Sequence, residues 1–201
     1  DQMKAMPPTA MKSFDSKDLG AMAPAAFAGM GADQMKAMAP TAMAGMGAQQ
    51  FSQLPPTAFA GMSADQMKAM TSTAFAGMGA DQMKAMPPTA MAGIGAEQLN
   101  QLPPATFKQM TPDQVKALPS AAFAGMTSSQ LGQLPATSVK VMEKKDISLL
   151  SPEAVAGLQL SQAKSWSTAQ LGALKPEAAA ALPTPVLNGL SASQKAAITK
   201  V

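Results

Sequence analysis

The chain has 201 residues and 20.4 kDa, with 15 basic residues, all lysine, against 12 acidic ones, a net charge of +3, and neither histidine nor cysteine. Without Cys there are no disulfides or thiolate metal sites; without His a nucleophilic triad lacks its usual base; and lysines scattered without Arg give no clustered footprint for nucleic acid. Lys, Gln or Pro interrupts every apolar run before the ~18 residues a transmembrane helix needs, so no membrane span is expected.

No secretory leader is visible, and Asp1 opens in register with a repeat, which suggests a processed product or a piece of a longer array. That repeat is plainest over residues 81–96, DQMKAMPPTAMAGIGA, and recurs from blocks opening at Asp1, Lys17, Asp33, Gln49, Asp65, Asp81 and onward without insertion, about twelve and a half times. Large apolar residues occupy positions 3, 6, 11 and 14 of each block. The second eight residues therefore repeat the pattern of the first, and the unit is an octad.

In Met110-Thr-Pro-Asp-Gln-Val-Lys-Ala-Leu118 the spacing predicts a short helix. Thr111 suits the N-cap, Pro112 the first helical position, Asp113 the positive end of the dipole, and Gln114 a capping box, with Met110 and Val115 as a hydrophobic staple. The same grammar returns at Ser151-Pro-Glu-Ala-Val155. Five or so helical residues are far fewer than the ~12–15 an isolated helix needs, so octads must stack to fold. The expected fold is all-α, an elongated solenoid of short helices. A β-solenoid turning at each Pro or Gly is the alternative; it is disfavoured by the i, i+3 apolar spacing and by the abundance of Ala, Met, Leu, Gln and Lys over β-branched residues.

In chain order, the first block departs from the others at Lys12 and Asp15, as terminal solenoid repeats commonly do. Regular Met-rich repeats fill 1–142. Four consecutive charged residues, Glu143 to Asp146, then interrupt a stretch whose Val139, Met142, Ile147 and Leu150 keep the octad frame, which predicts a polar corner within a single array. Residues 143–201 are diverged, Leu- and Ala-rich and free of Met, and Lys195 in a core slot marks the last block as a C-terminal cap or a fraying end.

The two halves of the repeat differ in their outward residues. The first half, as in Asp65-Gln-Met-Lys68, reads as a solvated face, and its Lys36, Lys68, Lys84 and Lys116 form a candidate polar face for a protein partner. The second half carries a ladder of Gly29, Gly45, Gly61, Gly77, Gly93, Gly125 and Gly157. Such a ladder serves either a turn or helix-ending requirement or the close approach of another backbone, and in the second case it is a candidate assembly face for a second solenoid.

Candidate chemistry is sparse. Met-x-x-Met pairs such as Met35 with Met38 and Met83 with Met86 could offer thioethers to Cu(I), but all 19 Met and all seven Phe share the four apolar slots. A ligand would not alternate with Phe, Leu and Val; core filling does. Asp33, Asp65, Asp81, Glu97 and Asp113 recur once per repeat in like environments, which suits helix starts better than acid–base pairs. Thr41, Thr57, Thr73 and Thr89 form a ladder that raises ice or crystal-surface binding, against the simpler reading of polar residues early in short helices. Trp166 falls in a core slot. No catalytic, cofactor or metal site is expected, and no small-molecule substrate.

Thr111-Pro-Asp-Gln-Val-Lys-Ala-Leu118 and Ser167-Thr-Ala-Gln-Leu-Gly-Ala-Leu174 resemble the LTPEQVAA-like octapeptide repeats of long bacterial surface and secreted repeat proteins. That resemblance implies an extracellular or cell-surface structural or adhesive role. The expectation is a filament or sheath subunit that self-associates, or an adhesin spacer. A solenoid scaffold binding a partner along its Gln/Lys face is the second reading, and Cu(I) binding the third.

Overall fold

The computed structural model describes residues 2–198; Asp1 and residues 199–201, the last part of the expected C-terminal cap, lie outside them. Among the described residues there are helices and no strand, so the fold is the all-α one and the β-solenoid alternative falls.

Each octad forms one short helix whose ends are dictated locally. In the first half of a repeat Ala64–Ala69 is an α-helix capped by Ser63, which lies in the extended region at φ −101° and ψ 164°, and it stops at Met70, extended again at ψ 145°. In the second half the Pro-Pro pairs set the boundary. The ring of Pro55 disfavours helical angles at Leu54, which sits at ψ 128°, and Pro56 then takes the first helical position of Pro56–Phe59, where a missing N–H costs nothing. Several second-half octads, including Pro40–Gly45, Ser72–Gly77 and Ser120–Gly125, tighten into 3-10 helices.

These helices are too short to persist alone, and they coil into stacked turns. Ser16–Ala21 packs on Pro40–Gly45, Ala48–Gln53 on Ser72–Gly77, and Ala96–Gln101 on Ser120–Gly125, each pair three octads apart. The closest backbone approaches join residues 29 apart, as Gly61 to Ala32, so one turn holds about three and a half octads. Each helix thus contacts only the turns beside it, the arrangement of a solenoid.

The apolar slots line the interior. Met35, Met43, Phe51, Phe59, Met67, Phe75 and Met83 are wholly buried, and their neighbours at the other apolar positions nearly so. Met6 and Met22 are half-buried and every other Met is buried, with Phe and Leu interchanging in the same register. The ring of Phe51 meets Phe59 edge-on at 5.0 Å and Phe75 at 5.8 Å. Val139, Met142, Ile147 and Leu150 stay in the core through the charged corner, so the stack continues across it.

Candidate functional site

The groups that recur most regularly with hydrogen-bonding capacity are the glutamines at the third position of most first-half helices. A helix leaves unpaired N–H groups at its start and unpaired C=O groups at its end, and with helices of four to seven residues almost the whole backbone is an end. Gln66 answers both problems. Its Oε1 accepts from the Ser63 N–H at 2.9 Å, capping its own helix, while its Nε2 donates to Met35 O at 2.7 Å and Met38 O at 2.9 Å, 31 and 28 residues earlier in the preceding turn. Gln98 bridges to Met67 O and Met70 O, Gln114 to Met83 O and Met86 O, and Gln162 to Leu131 O and Leu134 O, each bond between 2.7 and 2.8 Å. A primary amide carries an acceptor and two donors on one rigid plane, so a carboxylate in this slot can keep the cap but not the bridge.

The capping box expected at Thr111 is present, with Thr111 N–H donating to Gln114 Oε1 at 2.9 Å and Gln114 N–H to Thr111 Oγ1 at 3.3 Å. The placement expected for glutamine on a solvated face is corrected. Gln66, Gln114, Gln130 and Gln162 are 1–2 % exposed, in a dry seam between turns. The missed signal was the alternation of Gln with Ala at the second octad position, Ala42, Ala58, Ala74 and Ala90 being wholly buried. A polar residue that alternates with alanine in a repeat is a sign of burial with dedicated partners.

The glycine ladder has its steric cause within the chain. A Cβ on Gly61, Gly77, Gly93 or Gly125 would stand 2.0 Å from the carbonyl oxygen of Ala32, Ala48, Ala64 or Ala96; Gly45 meets Ser16 and Gly157 meets Ser128 in the same way. Gly29, near the start, approaches Lys4 more loosely at 3.3 Å. No residue has a positive φ among those described, so the turn-angle explanation does not hold. The close backbone approach is real, but the backbone is the chain's own preceding turn, and the ladder gives no support for a second solenoid packed on it.

Lys36, Lys68, Lys84 and Lys116 are exposed, as expected. They do not share one face. With Gly61 stacked on Ala32, 29 residues earlier, a step of sixteen is a little over half a turn, and Lys68 and Lys84 lie on opposite sides of the rod. The same geometry divides the exposed Thr41, Thr57, Thr73 and Thr89 between two sides. Asp33, Asp65, Asp81, Glu97 and Asp113 are exposed at helix starts. Trp166 is buried, and its Nε1–H donates to Val139 O at 2.9 Å, adding a bond to the preceding turn beside those of Gln162.

A shallow groove of about 680 Å³ lies between turns, with Met70, Ala92, Ile94 and Ala121 as its floor and Lys68 and Glu97 in its lining. Gln98, also in its wall, is committed to Met67 O and Met70 O. Of the candidate residues above, the lysines, acids and threonines lie on the open surface and the buried glutamines are engaged in joining turns.

The fold and the ladder together define the class, an all-α solenoid of octad repeats whose turns are joined by buried amide bridges. No protein-family model and no curated protein matches the chain.

Proposed function

We propose that the chain is a non-catalytic structural rod of the cell surface or extracellular space, a filament or sheath subunit or an adhesin spacer. The observation that carries this reading is the use made of the repeat's polar groups: the glutamines bond the next turn, and the glycines and alanines let it approach. What is repeated serves length and cohesion, and the exposed residues between are lysines, acids and threonines that fall on alternating sides of the axis. Core slots in which Met, Phe, Leu and Val interchange favour packing over Cu(I) coordination.

Negative-stain electron microscopy and static light scattering over a concentration series test the proposal. The expected result is rods that associate into filaments as concentration rises. Isolated, non-associating rods at high concentration would remove the filament and sheath version and leave the spacer. Stoichiometric capture of one partner by the parent chain that is lost when Lys36, Lys68 and Lys84 are changed to Glu would favour the scaffold reading instead.

A further inference from the structure

One rung of the ladder departs from the others in several independent ways. The helix Lys144–Ile147 carries Asp146 where the other first-half helices from Ala32–Ala37 to Leu160–Ser165 carry Gln. Asp146 is buried, and its Oδ2 accepts from the Glu143 N–H at 2.8 Å, so it keeps the capping half of the role. A carboxylate has no proton to donate, and Val115 O and Leu118 O, 31 and 28 residues earlier, receive no side-chain donor among the described residues. The next position in this register above is Ala178, which also has nothing to donate. Among the first-half rungs from Ala32–Ala37 to Leu160–Ser165, this one alone has no side-chain bridge to the turn on either side.

The glycine of the close-approach slot is also replaced beside this rung. Ala173, 29 residues after Lys144, stands in a slot that most repeats fill with Gly, as does Val141 just before the rung and Gln109 earlier in the chain, and Lys144 stands where most first-half helices begin with Ala or Ser. An open groove of about 690 Å³ is lined by Lys144, by Thr168 and Ala173 of the turn above, and by Ala197 of the turn beyond that. On this rung sits the chain's one pair of adjacent lysines, and Glu143, Lys144 and Lys145 are all exposed.

We propose that the Lys144–Lys145 bond is a proteolytic processing site for a lysine-directed serine endoprotease, one whose specificity pocket carries a carboxylate. A folded helix does not enter a protease cleft, so cutting requires local opening, and the rate follows the population of the opened rung. Here the bridges that hold other rungs closed are missing and two cations are presented together. Water adds across the peptide bond, leaving a carboxylate on Lys144 and an amine on Lys145. The cut divides the chain into 1–144, which holds every Met, and 145–201, which holds none.

Limited digestion of the intact chain with trypsin, read by mass spectrometry, tests this, counting cuts between Lys36 and Lys164 so that trimming of the ends is set apart. The first cut is expected after Lys144. Asp146→Gln supplies donors to Val115 O and Leu118 O and is expected to slow the cut about tenfold, the equivalent of two hydrogen bonds of ordinary net strength. Removing an acid beside the scissile bond would by itself ease entry to an acidic pocket, so slowing reports closure of the rung. Hydrogen exchange supplies a second readout that needs no protease: amides of residues 144–150 are expected to exchange faster than those of 112–118, and to slow in Asp146→Gln. A first cut at any other lysine in the counted interval, or Asp146→Gln cutting and exchanging as fast as the parent, overturns the proposal.

Discussion

The two halves of the repeat solve one problem by opposite means. Both must join a helix of four to six residues to the turn beneath it. The first half does so with a long polar side chain, as Gln82 reaches Phe51 O at 3.1 Å and Leu54 O at 2.7 Å. The second half does so by having almost no side chain, as Ala74 is wholly buried and Gly77 admits the Ala48 carbonyl. Directional bonds fix the register between turns, and small residues fix their separation. At Lys144–Ile147 Asp146 replaces the glutamine and Ala173 fills the facing glycine slot, and the same fold continues.

Removing the directional device is expected to have the largest effect. Gln82→Leu keeps the volume but strips the Gly79 N–H and two carbonyls of the preceding turn of their partner. Leaving buried groups unpaired at ~1–3 kcal/mol each, partly offset by the retained local bond to Phe51 O, predicts a loss of about 3 kcal/mol, read from the urea midpoint. An unchanged midpoint would mean the bridges add nothing.

The spacing device breaks next. Gly77→Ala places a Cβ 2.0 Å from a backbone carbonyl and is expected to cost about 2 kcal/mol in thermal melts, in the range of other overpacked substitutions. Gln109 and Val141 show that a rung can carry a side chain in this slot, so the cost is a shift between turns and not loss of the fold. Gly79→Ala, two residues on, would meet only Gln82 Oε1 at 3.4 Å at an ordinary φ of −92°, and should be neutral or stabilise by a few tenths of a kcal/mol. Equal destabilisation by the two alanines would refute the close-approach account.

Within the first half, Ser63→Ala removes the hydroxyl that accepts from Gln66 N–H and should cost about 1 kcal/mol, whereas Ser63→Gly, which recreates the cap at Gly79, should cost only a few tenths. Smallest of all, Lys68→Glu on the open surface should lie within about 0.5 kcal/mol of the parent. A larger loss would place Lys68 in a network between turns.

Much of this was legible in order of sequence distance. Thr111, Pro112 and Gln114 announced a helix start because capping operates over three residues, and the apolar slots announced a core because Met, Phe and Leu exchange freely within them. The outer end of Gln114 was not legible. Its other partners are Met83 O and Met86 O, 31 and 28 residues away, and no local rule distinguishes a glutamine facing water from one facing a carbonyl in the next turn. The glycine ladder was half legible: its regularity showed that a backbone comes close, and its owner could be known only once the turns were stacked.

The sequence by itself determined the octad, the all-α class, the helix boundaries and the large apolar interior positions, because these follow from caps, prolines and periodicities that act over three to eight residues. Tertiary structure alone decided that a turn closes after about 29 residues, as Gly61 on Ala32 shows. It thereby decided that glutamines face inward across a seam and that a sixteen-residue ladder of lysines falls on two sides of a rod. The reason is that the turn is set by how short helices pack on one another, and that packing is a property of residues far apart in the chain.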